Sequence, residues 1–333
     1  LFDLLLNPPA NSRRAVNAII ARACIPPWPD QNANGALAFY LGHMGLEKPG
    51  LVPWLIRTAQ KPITAVYDLI PITHPEYCLP GEDARHAQRM RTAVEHSTGI
   101  VCISHTTLRT LSNWADQAGL PLPPTVVAHL APASLPDASG TSPPLGVPYF
   151  VVLGTIEPRK NHLLLLQLWR ELAHRLGDAA PHLVVIGQRG WECENVVDLL
   201  ERSPAVRRLV HEVSRCSDTE LARYLKHARA LLFPSFAEGY GMPLVEALAQ
   251  GTPVIASDLP VFREVAVDVP HYLDALDGTG WRQAITQYTT GDCAQRARQI
   301  ERLHKFHKPT WDDHFAQVET FIDRLQSRRP TVA

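Results

Sequence analysis

Residues 231–258 constrain the fold of this chain most, because they join two apolar runs through a glycine-rich loop and a short helix. Their sequence is LLFPSFAEGYGMPLVEALAQGTPVIASD. Pro243 suits the first turn of a helix, where a missing N–H loses no partner, and Gly251 is a suitable helix end. Free N–H groups at a helix start bind anions, and glycines let a ligand approach the backbone. The segment therefore predicts a strand–loop–helix–strand unit that holds a phosphate ester.

Two carboxylates flank this anion site: Glu238 precedes the predicted helix, and Glu246 lies in its first turns. A carboxylate can accept hydrogen bonds from two vicinal hydroxyls, so each is suited to binding hydroxyl groups beside the phosphate. The simpler interpretations are that Glu246 stabilises the helix dipole by ~0.3–1 kcal/mol and that Glu238 is a solvated loop charge. The glycines between them favour the binding interpretation.

The rest of the chain repeats the order strand, loop, helix, strand, which is typical of a parallel sheet covered by helices. A length of 333 residues favours two domains, and the Pro-, Ser-, Gly- and Ala-rich residues 131–148 are the best linker. We predict an α/β protein with two Rossmann-like, doubly wound parallel-sheet domains, over 1–140 and 147–305, and a final helix over 309–328. A further helix is predicted over 12–23, and a strand region is predicted over 206–213.

Further candidate residues lie in loops that follow predicted strands. Ligands of doubly wound sheets bind beyond the carboxyl ends of the strands, so these loops are expected to line one cleft between the domains. The candidates outside residues 231–258 are Tyr67, Asp68, His74, Gly154, Thr155, Arg159, Lys160 and Gln188.

Five motifs together resemble the retaining family-4 glycosyltransferases, which have the GT-B fold and transfer a sugar from a nucleoside diphosphate. The resemblance is to the branch of bacterial O-antigen mannosyltransferases and spans about residues 36–325. It implies two domains that face a central cleft, with the final helix crossing back to the N-terminal domain. The motifs are YDLIPITHPEY (67–77), GTIEPRKN (154–161), IG-x-x-GW (186–191), SDTELARYL (217–225) and FPSFAEGYGMPLVEALAQGTPVIASD (233–258).

The resemblance implies a role for each matching residue. Glu238 matches the glutamate beside the transferred sugar, and Glu246 matches the one that binds the ribose diol. Lys160, with Arg159 beside it, matches the lysine that faces the donor diphosphate, where a fixed cation stabilises the departing negative charge. Glu238, Lys160 and Arg159 are thus the expected catalytic residues, although an ordinary basic loop is the alternative for the two cations. The expected donor-binding residues are Gly154, Thr155, Gln188, Gly239, Tyr240, Gly241, Met242 and Glu246.

The expected acceptor side departs from the family pattern. Tyr67 stands where many relatives have a histidine, and tyrosine donates a hydrogen bond but carries no positive charge near neutral pH. The alternative for Tyr67 is a core aromatic at a strand end. Asp68 and His74 are predicted to face the acceptor, and Ser104 is predicted to cap a helix.

The donor side departs from the pattern in two places. Thr155 replaces an arginine that follows the strand glycine in many relatives, so phosphate binding is expected to depend more on Lys160. The family's glycine-rich loop near the first strand is not found. We expect Leu1 to lie after that loop, with the start of the first domain missing.

Composition and spacing exclude several other classes. A formal net charge of -1 gives no electrostatic case for nucleic acid. Six cysteines without Cys-x-x-Cys spacing indicate reduced thiols in a cytoplasmic protein. The chain has no Asp-x-Asp, so no metal or other cofactor is expected, and it lacks the Gly-x-Gly-x-x-Gly of dehydrogenases. No apolar run reaches the ~18 residues of a membrane span, but peripheral association with the inner face of the membrane is kept open.

The sequence thus predicts a retaining hexosyltransferase. The favoured donor is GDP-mannose, and the expected acceptor is a saccharide or a lipid-linked saccharide in cell-surface polysaccharide synthesis. By resemblance, the acceptor hydroxyl attacks on the face that the diphosphate leaves, and the diphosphate takes its proton. Two alternatives are a nucleotide-sugar epimerase of the same fold and a degenerate subunit that binds a sugar nucleotide.

Overall fold

A computed structural model describes residues 37–58, 60–290 and 292–327. The helix predicted over 12–23 and the first part of the N-terminal domain lie outside these residues. The described chain forms two parallel β-sheets, one of four strands and one of six. We call the sheets with their helices the first and the second domain.

The first domain has its four strands in chain order, β1-β2-β3-β4, and every neighbouring pair is parallel. Strand β2 is buried along most of its length, as expected for a strand covered on both faces. The strands are β1 Leu37–Tyr40, β2 Lys61–Val66, β3 Gly99–Cys102 and β4 Thr125–Val127. The helices are α1 Leu51–Thr58, α2 Ile70–Thr73, α3 Glu82–His96 and α4 His105–Gln117, with a 3₁₀ turn at Pro75–Tyr77.

The second domain has the strand order β10-β9-β8-β5-β6-β7, which is the Rossmann order with its reversal between β5 and β8. Alternate residues of β5 enter two different apolar clusters, one on each face of the sheet. The strands are β5 Tyr149–Leu153, β6 His182–Ile186, β7 Val210–Val213, β8 Leu231–Phe233, β9 Val254–Ser257 and β10 His271–Leu273. The helices are α5 His162–Leu176, α6 Glu194–Arg202, α7 Pro204–Leu209, α8 Asp218–His227, α9 Met242–Ala249, α10 Pro260–Ala266, α11 Gly278–Thr289, α12 Ala294–Leu303 and α13 Trp311–Ser327. Two 3₁₀ turns span Pro158–Lys160 and Gly177–Ala179.

Helix α13 packs against the first domain although it follows the second in the chain. Its Phe321 is buried in a cluster with Ile63 and Val101 of the first sheet. Gly99 permits this approach, because a Cβ there would lie 2.7 Å from the Phe321 ring. The two domains are therefore linked twice, by residues 131–148 and by the return of α13.

One predicted element is wrong in part. Residues 206–213 were expected to form a strand region, but the helix α7 continues to Leu209 and only the four residues of β7 are extended. Pro204 favours this helix start, because proline is tolerated in a first turn.

Candidate active site

The candidate site lies where the strand order of the second sheet reverses. The loops after β5 and β8 meet there, and each carries a predicted catalytic residue. Lys160 ends the 3₁₀ turn, and Asn161 then adopts a left-handed conformation with φ of 55°. The Asn161 amide donates to the carbonyls of Pro234 and Ala275, at 3.2 and 3.0 Å. The first of these bonds ties the two loops together, so their side chains are brought into one place.

Lys160, Arg159 and Glu238 form one ionic cluster. Lys160 Nζ donates to Glu238 Oε1 at 2.5 Å, and the Arg159 guanidinium lies 2.8 Å from Glu238 Oε2. Arg159 also binds Glu157 Oε1 at 2.6 Å and the Ala237 carbonyl at 2.7 Å. The structure thus brings together the three residues that were predicted to be catalytic.

The Glu238 carboxylate is ionised although it is almost completely buried. Its side chain is 8% exposed and that of Lys160 is 11% exposed. Burial by itself would raise the pKa of Glu238, but the charges of Lys160 and Arg159 outweigh burial and lower it. The cluster contains two cations, Lys160 and Arg159, and two carboxylates, Glu238 and Glu157. A diphosphate that binds here must therefore compete with Glu238 for the cations.

Backbone packing shapes the loop that contains Thr155. A Cβ at Gly187 would lie 1.9 Å from the Gly154 carbonyl oxygen, so the loops after β5 and β6 meet backbone to backbone. Gly154 has a φ of +140°, which favours glycine. Ile156 N–H donates to the Gln188 carbonyl at 2.8 Å. This packing leaves Thr155 and Gln188 exposed beside the loop that leads to Lys160.

The glycine loop after β8 begins the helix as the sequence predicts. Gly241 precedes α9 with a φ of +100°, and a Cβ there would lie 2.6 Å from the Phe262 ring. Helix α9 begins at Met242, which agrees with the predicted start. Glu246 lies apart from the ionic cluster, near the backbone N–H of Ala133 in the linker. Burial raises its pKa, against the effect of that N–H.

Gly239 connects the two domains. Its carbonyl accepts hydrogen bonds from the hydroxyls of Ser104, at 3.1 Å, and Thr107, at 3.3 Å. A Cβ at Gly239 would lie only 2.5 Å from the Tyr67 carbonyl oxygen. Ser104 also caps α4 by accepting from Thr107 N–H, which confirms the predicted cap. Tyr240 adds a contact between the domains, because its buried hydroxyl donates to the Leu130 carbonyl at 2.7 Å.

Of the three predicted acceptor-side residues, two line a cleft of about 260 Å³ together with Glu238 and Gly239. These two are Asp68, which accepts from Ile70 N–H at 3.0 Å, and His74, whose ring stacks on Tyr77. Tyr67 does not line this cleft, and its hydroxyl donates to the Leu41 carbonyl at 2.6 Å.

Tyr67, which was predicted on the acceptor side, is therefore not part of the lining of this cleft. The ring lies 5.5 Å from that of His43, and its backbone N–H donates to the same histidine at 3.3 Å. The loop that follows β1 thus holds Tyr67, as the alternative of a packed strand-end aromatic predicts.

The other polar residues of this cleft were not predicted from the sequence. They are hydroxyls from α4 and from the end of α2, and Phe236 adds an aromatic wall. Three of them recur at helical spacing after Ser104, a signal that could have identified them as one face of α4. The hydroxyl residues are Thr73, Thr106, Thr107 and Thr110.

Glu264 makes another polar contact between the domains, which the sequence did not indicate. Its carboxylate accepts from the backbone N–H groups of His105, at 2.6 Å, and Thr106, at 2.9 Å. The Thr106 hydroxyl donates at 2.9 Å and His129 Nε2 at 2.8 Å. Burial opposes the charge, but these donors lower the pKa of Glu264 to about 2. We call these four groups and Glu264 the Glu264 clasp.

Within the described ranges, the side chains and helices offer neither a metal site nor a membrane span. No group of three or more His, Cys, Asp or Glu side chains there has an arrangement suited to a metal ion. In the same part of the chain, no helix combines the length and the apolar character that crossing a bilayer requires.

A protein-family model matches the segment of the chain that contains the ionic cluster. The family model described as glycosyl transferases group 1 matches residues 139–271, which include the ionic cluster and the glycine loop. The chain contains a group 1 glycosyltransferase domain. Outside this segment, the first domain supplies the facing wall of the 260 Å³ cleft.

Curated relatives of the chain include bacterial mannosyltransferases. The serotype-specific mannosyltransferase WbdA of Escherichia coli is 28% identical over 222 residues, which are 62% of this chain and 27% of WbdA. The O-antigen chain mannosyltransferase B of Escherichia coli is 32% identical over 151 residues, which are 41% of this chain and 39% of that protein. RfbU of Salmonella typhimurium is 34% identical over 143 residues, 41% of this chain and 37% of RfbU. The matches thus span well under half the length of these relatives.

Solved structures share the fold over nearly the whole chain. A sucrose-phosphate synthase from Thermosynechococcus elongatus matches with a TM-score of 0.65 at 17% identity, over 95% of this chain and 78% of that one. The apo structure of OtsA matches with a TM-score of 0.69 at 11% identity, over 95% and 77%. These similarities and the two parallel sheets confirm the predicted GT-B fold.

Proposed function

We propose that this protein is a retaining hexosyltransferase that moves mannose from GDP-mannose to a saccharide or lipid-linked saccharide in cell-surface polysaccharide synthesis. The observation that carries the proposal is the convergence of Lys160 and Arg159 on Glu238 at the strand-order reversal of a group 1 glycosyltransferase domain. We propose mannose as the sugar because these relatives are named as mannosyltransferases. We place the reaction in the cytoplasm, at the inner face of the membrane.

We propose a separate role in the transfer reaction for each domain and for the final helix. Residues 1–140 select the acceptor, residues 147–305 bind the donor, and the helix over 309–328 couples them. Glu238 binds the transferred sugar, and Glu246 binds the ribose. Gly154, Thr155, Gln188 and residues 239–242 complete the donor site. Asp68, His74 and the threonine hydroxyls hold the acceptor in the 260 Å³ cleft.

We propose that the reaction proceeds without a dedicated protein base. As the donor's C1–O bond breaks, negative charge grows on the diphosphate, and Lys160 and Arg159 stabilise it. The acceptor hydroxyl bonds to C1 on the same face, and its proton passes to the departing phosphate oxygen. Glu238 holds both cations at the site before the donor arrives, and the diphosphate must draw them away from its carboxylate.

A specific observation favours a second candidate, a subunit that binds sugar nucleotides without transferring them. The two cations are already compensated by Glu238 and Glu157, and the Tyr67 hydroxyl turns to Leu41. Such a subunit would bind the donor and lack the charge needed to release the diphosphate.

Transfer assays with Lys160→Met test the proposal. The full chain is incubated with GDP-mannose or other nucleotide sugars and a lipid-linked saccharide. We expect transfer by the native protein and a loss of about 10²–10³-fold in kcat for the variant, since one charge-stabilising donor is worth that much. Lys226→Met, which removes an equal charge from the last turn of α8, serves as the matched control.

Two outcomes would contradict this function. Donor binding without transfer from any nucleotide sugar would indicate the binding subunit, and epimerised donor in the absence of acceptor would indicate an epimerase. The shift of the melting temperature with GDP and UDP tests the donor base. An equal shift with both would remove the case for GDP-mannose.

A further inference from the structure

The charged side chains of the 260 Å³ cleft beside Glu238 limit which ligands it can bind. Asp68 and Glu238 are carboxylates, and neither a lysine nor an arginine is among the described residues that line the cleft. The two cations of the ionic cluster, Lys160 and Arg159, are bonded to Glu238 and lie outside that lining. A ligand in the cleft therefore contacts acidic side chains, and His74 is the basic residue in the described lining.

The threonine hydroxyls that α4 contributes to the cleft offer acceptors to a ligand. A hydroxyl has a single proton to donate, and the protein already uses it in each case. The Thr106 hydroxyl donates to Glu264 at 2.9 Å, and the Thr110 hydroxyl donates to the Thr106 carbonyl at 2.9 Å. The Thr107 hydroxyl donates to the Tyr67 carbonyl at 3.0 Å. What these hydroxyls can still offer a ligand is the oxygen, which accepts.

Thr73 and His74, at the end of α2, extend this pattern. The Thr73 hydroxyl donates to the Leu69 carbonyl at 3.2 Å, so its oxygen accepts from Nδ1 of His74, 2.8 Å away. A neutral imidazole with its proton on Nδ1 has an acceptor at Nε2. Asp68 is an acceptor as well, and Ile70 N–H fixes its carboxylate at 3.0 Å. The polar side chains of the cleft thus match hydroxyl groups, which donate, and do not match an oxyanion, which only accepts.

The apolar part of the lining suits the ring of a sugar. Phe236 lines the cleft, and Tyr77 stacks on its ring at 5.4 Å with the planes 7° apart. The other neighbour in this stack is His74, whose ring lies 6.1 Å from that of Tyr77, so residues of both domains fix the wall. Pockets for drug-sized ligands measure ~300–1,000 Å³, so the smaller volume of this cleft suits a single sugar ring.

We propose that the acceptor sugar bound in this cleft carries no anionic group, so that it is a plain hexose and not a sugar phosphate or a uronic acid. The inference rests on the proposed transferase function and deepens it by naming the class of the acceptor sugar. Hydroxyls of the sugar donate to Asp68 and to the threonine oxygens, and one face of its ring lies against Phe236. A phosphate or carboxylate on that ring would lose its hydration beside Asp68 without gaining donors.

Three matched saccharides test the acceptor class with the full chain. They are methyl mannoside, methyl mannoside 6-phosphate and the methyl glycoside of mannuronic acid, at pH 8, where imidazole groups are neutral. One measurement is transfer from a nucleotide sugar, and the other is calorimetric binding of each saccharide in the presence of GDP. We expect the native chain to favour the neutral glycoside by at least about tenfold in both, because facing like charges discriminate strongly against a ligand.

Asp68→Asn tests the charge to which we attribute this preference. Asparagine keeps the size of the side chain and can still accept from Ile70 N–H, but it carries no charge. We expect the preference for the neutral glycoside to fall about fivefold or more, since a charge pair ~4 Å apart contributes at least that factor. Asp116→Asn makes the same change at an exposed position of α4 outside the cleft lining and is expected to keep the native preference.

The outcomes separate this inference from the proposed function. Transfer to all three saccharides at similar rates would leave the transferase function in place and overturn the acceptor class. An equal loss of preference in Asp68→Asn and Asp116→Asn would also contradict the acceptor class. A neutral preference in binding, without transfer to any saccharide, would support the class and refute the transferase. Binding of none of the three would show that the cleft is not a sugar site.

Discussion

The Glu264 clasp predicts a stability difference that depends on pH. Glu264→Gln keeps the size of the side chain and removes its charge, so the donors of the clasp lose an ionised acceptor. The pKa of Glu264 falls from its ordinary 4.5 to about 2, and the side chain is 13% exposed, so solvent screens it little. At about 1.4 kcal/mol for each pKa unit, the charge contributes roughly 3 kcal/mol to the free energy of unfolding near pH 7.

The sign follows from the direction of the pKa shift. A carboxylate with a lowered folded-state pKa stabilises the protein above its unfolded pKa, and the contribution is lost as pH falls towards the folded pKa. Protonated glutamate resembles glutamine. The difference between the native protein and Glu264→Gln is therefore expected to begin to fall below about pH 4.5, to about half by pH 3, and to vanish near pH 2.

Urea denaturation from pH 7 to pH 3 measures this difference. Glu319→Gln, at an exposed position on α13, is the control and is expected to change the free energy of unfolding by less than about 0.5 kcal/mol. A Glu264→Gln difference that stays constant down to pH 3 would refute the reasoning, because it would show that the carboxylate charge is not what the clasp binds.

Two further predictions concern the contacts between domains. Gly239→Ala places a Cβ 2.5 Å from the Tyr67 carbonyl, so the glycine loop must move; activity is expected to fall about 10²-fold, the cost of a ~1 Å displacement. Gly146→Ala, which has open space, is its control in transfer assays, and equal activities would contradict the contact. Phe321→Ala is expected to lower the free energy of unfolding, measured by urea denaturation, by ~3–5 kcal/mol. A loss no larger than that of the exposed Phe315→Ala would show that α13 does not pack as described.

Much of the second domain follows from local sequence patterns. Apolar runs bounded by glycine and proline mark its strands, and parallel strands place their carboxyl-end loops at one edge of the sheet. For this reason, the meeting of Lys160 and Glu238 could be expected although they are 78 residues apart. The start of α9 at Met242 and the cap at Ser104 are equally local, since each depends on the few residues around a helix start.

Contacts between the two domains could not be predicted from local sequence patterns. His129 and Glu264 are 135 residues apart and lie in different domains, and neither is part of a local pattern. Tyr67 was predicted on the acceptor side because of its position after a strand, but its hydroxyl donates to the Leu41 carbonyl in the loop after β1.

The sequence by itself determined most of the strands and helices, although not the helix α7, and it placed Lys160, Arg159 and Glu238 in loops that share one edge. Hydrophobic periodicity and helix capping act over a few residues, so a linear pattern contains them. The tertiary structure alone decided that Glu238 binds both Lys160 and Arg159 and that Phe321 of α13 packs against Ile63 and Val101 of the first sheet. Those outcomes depend on the shapes and charges of surfaces that become neighbours only when the chain has folded.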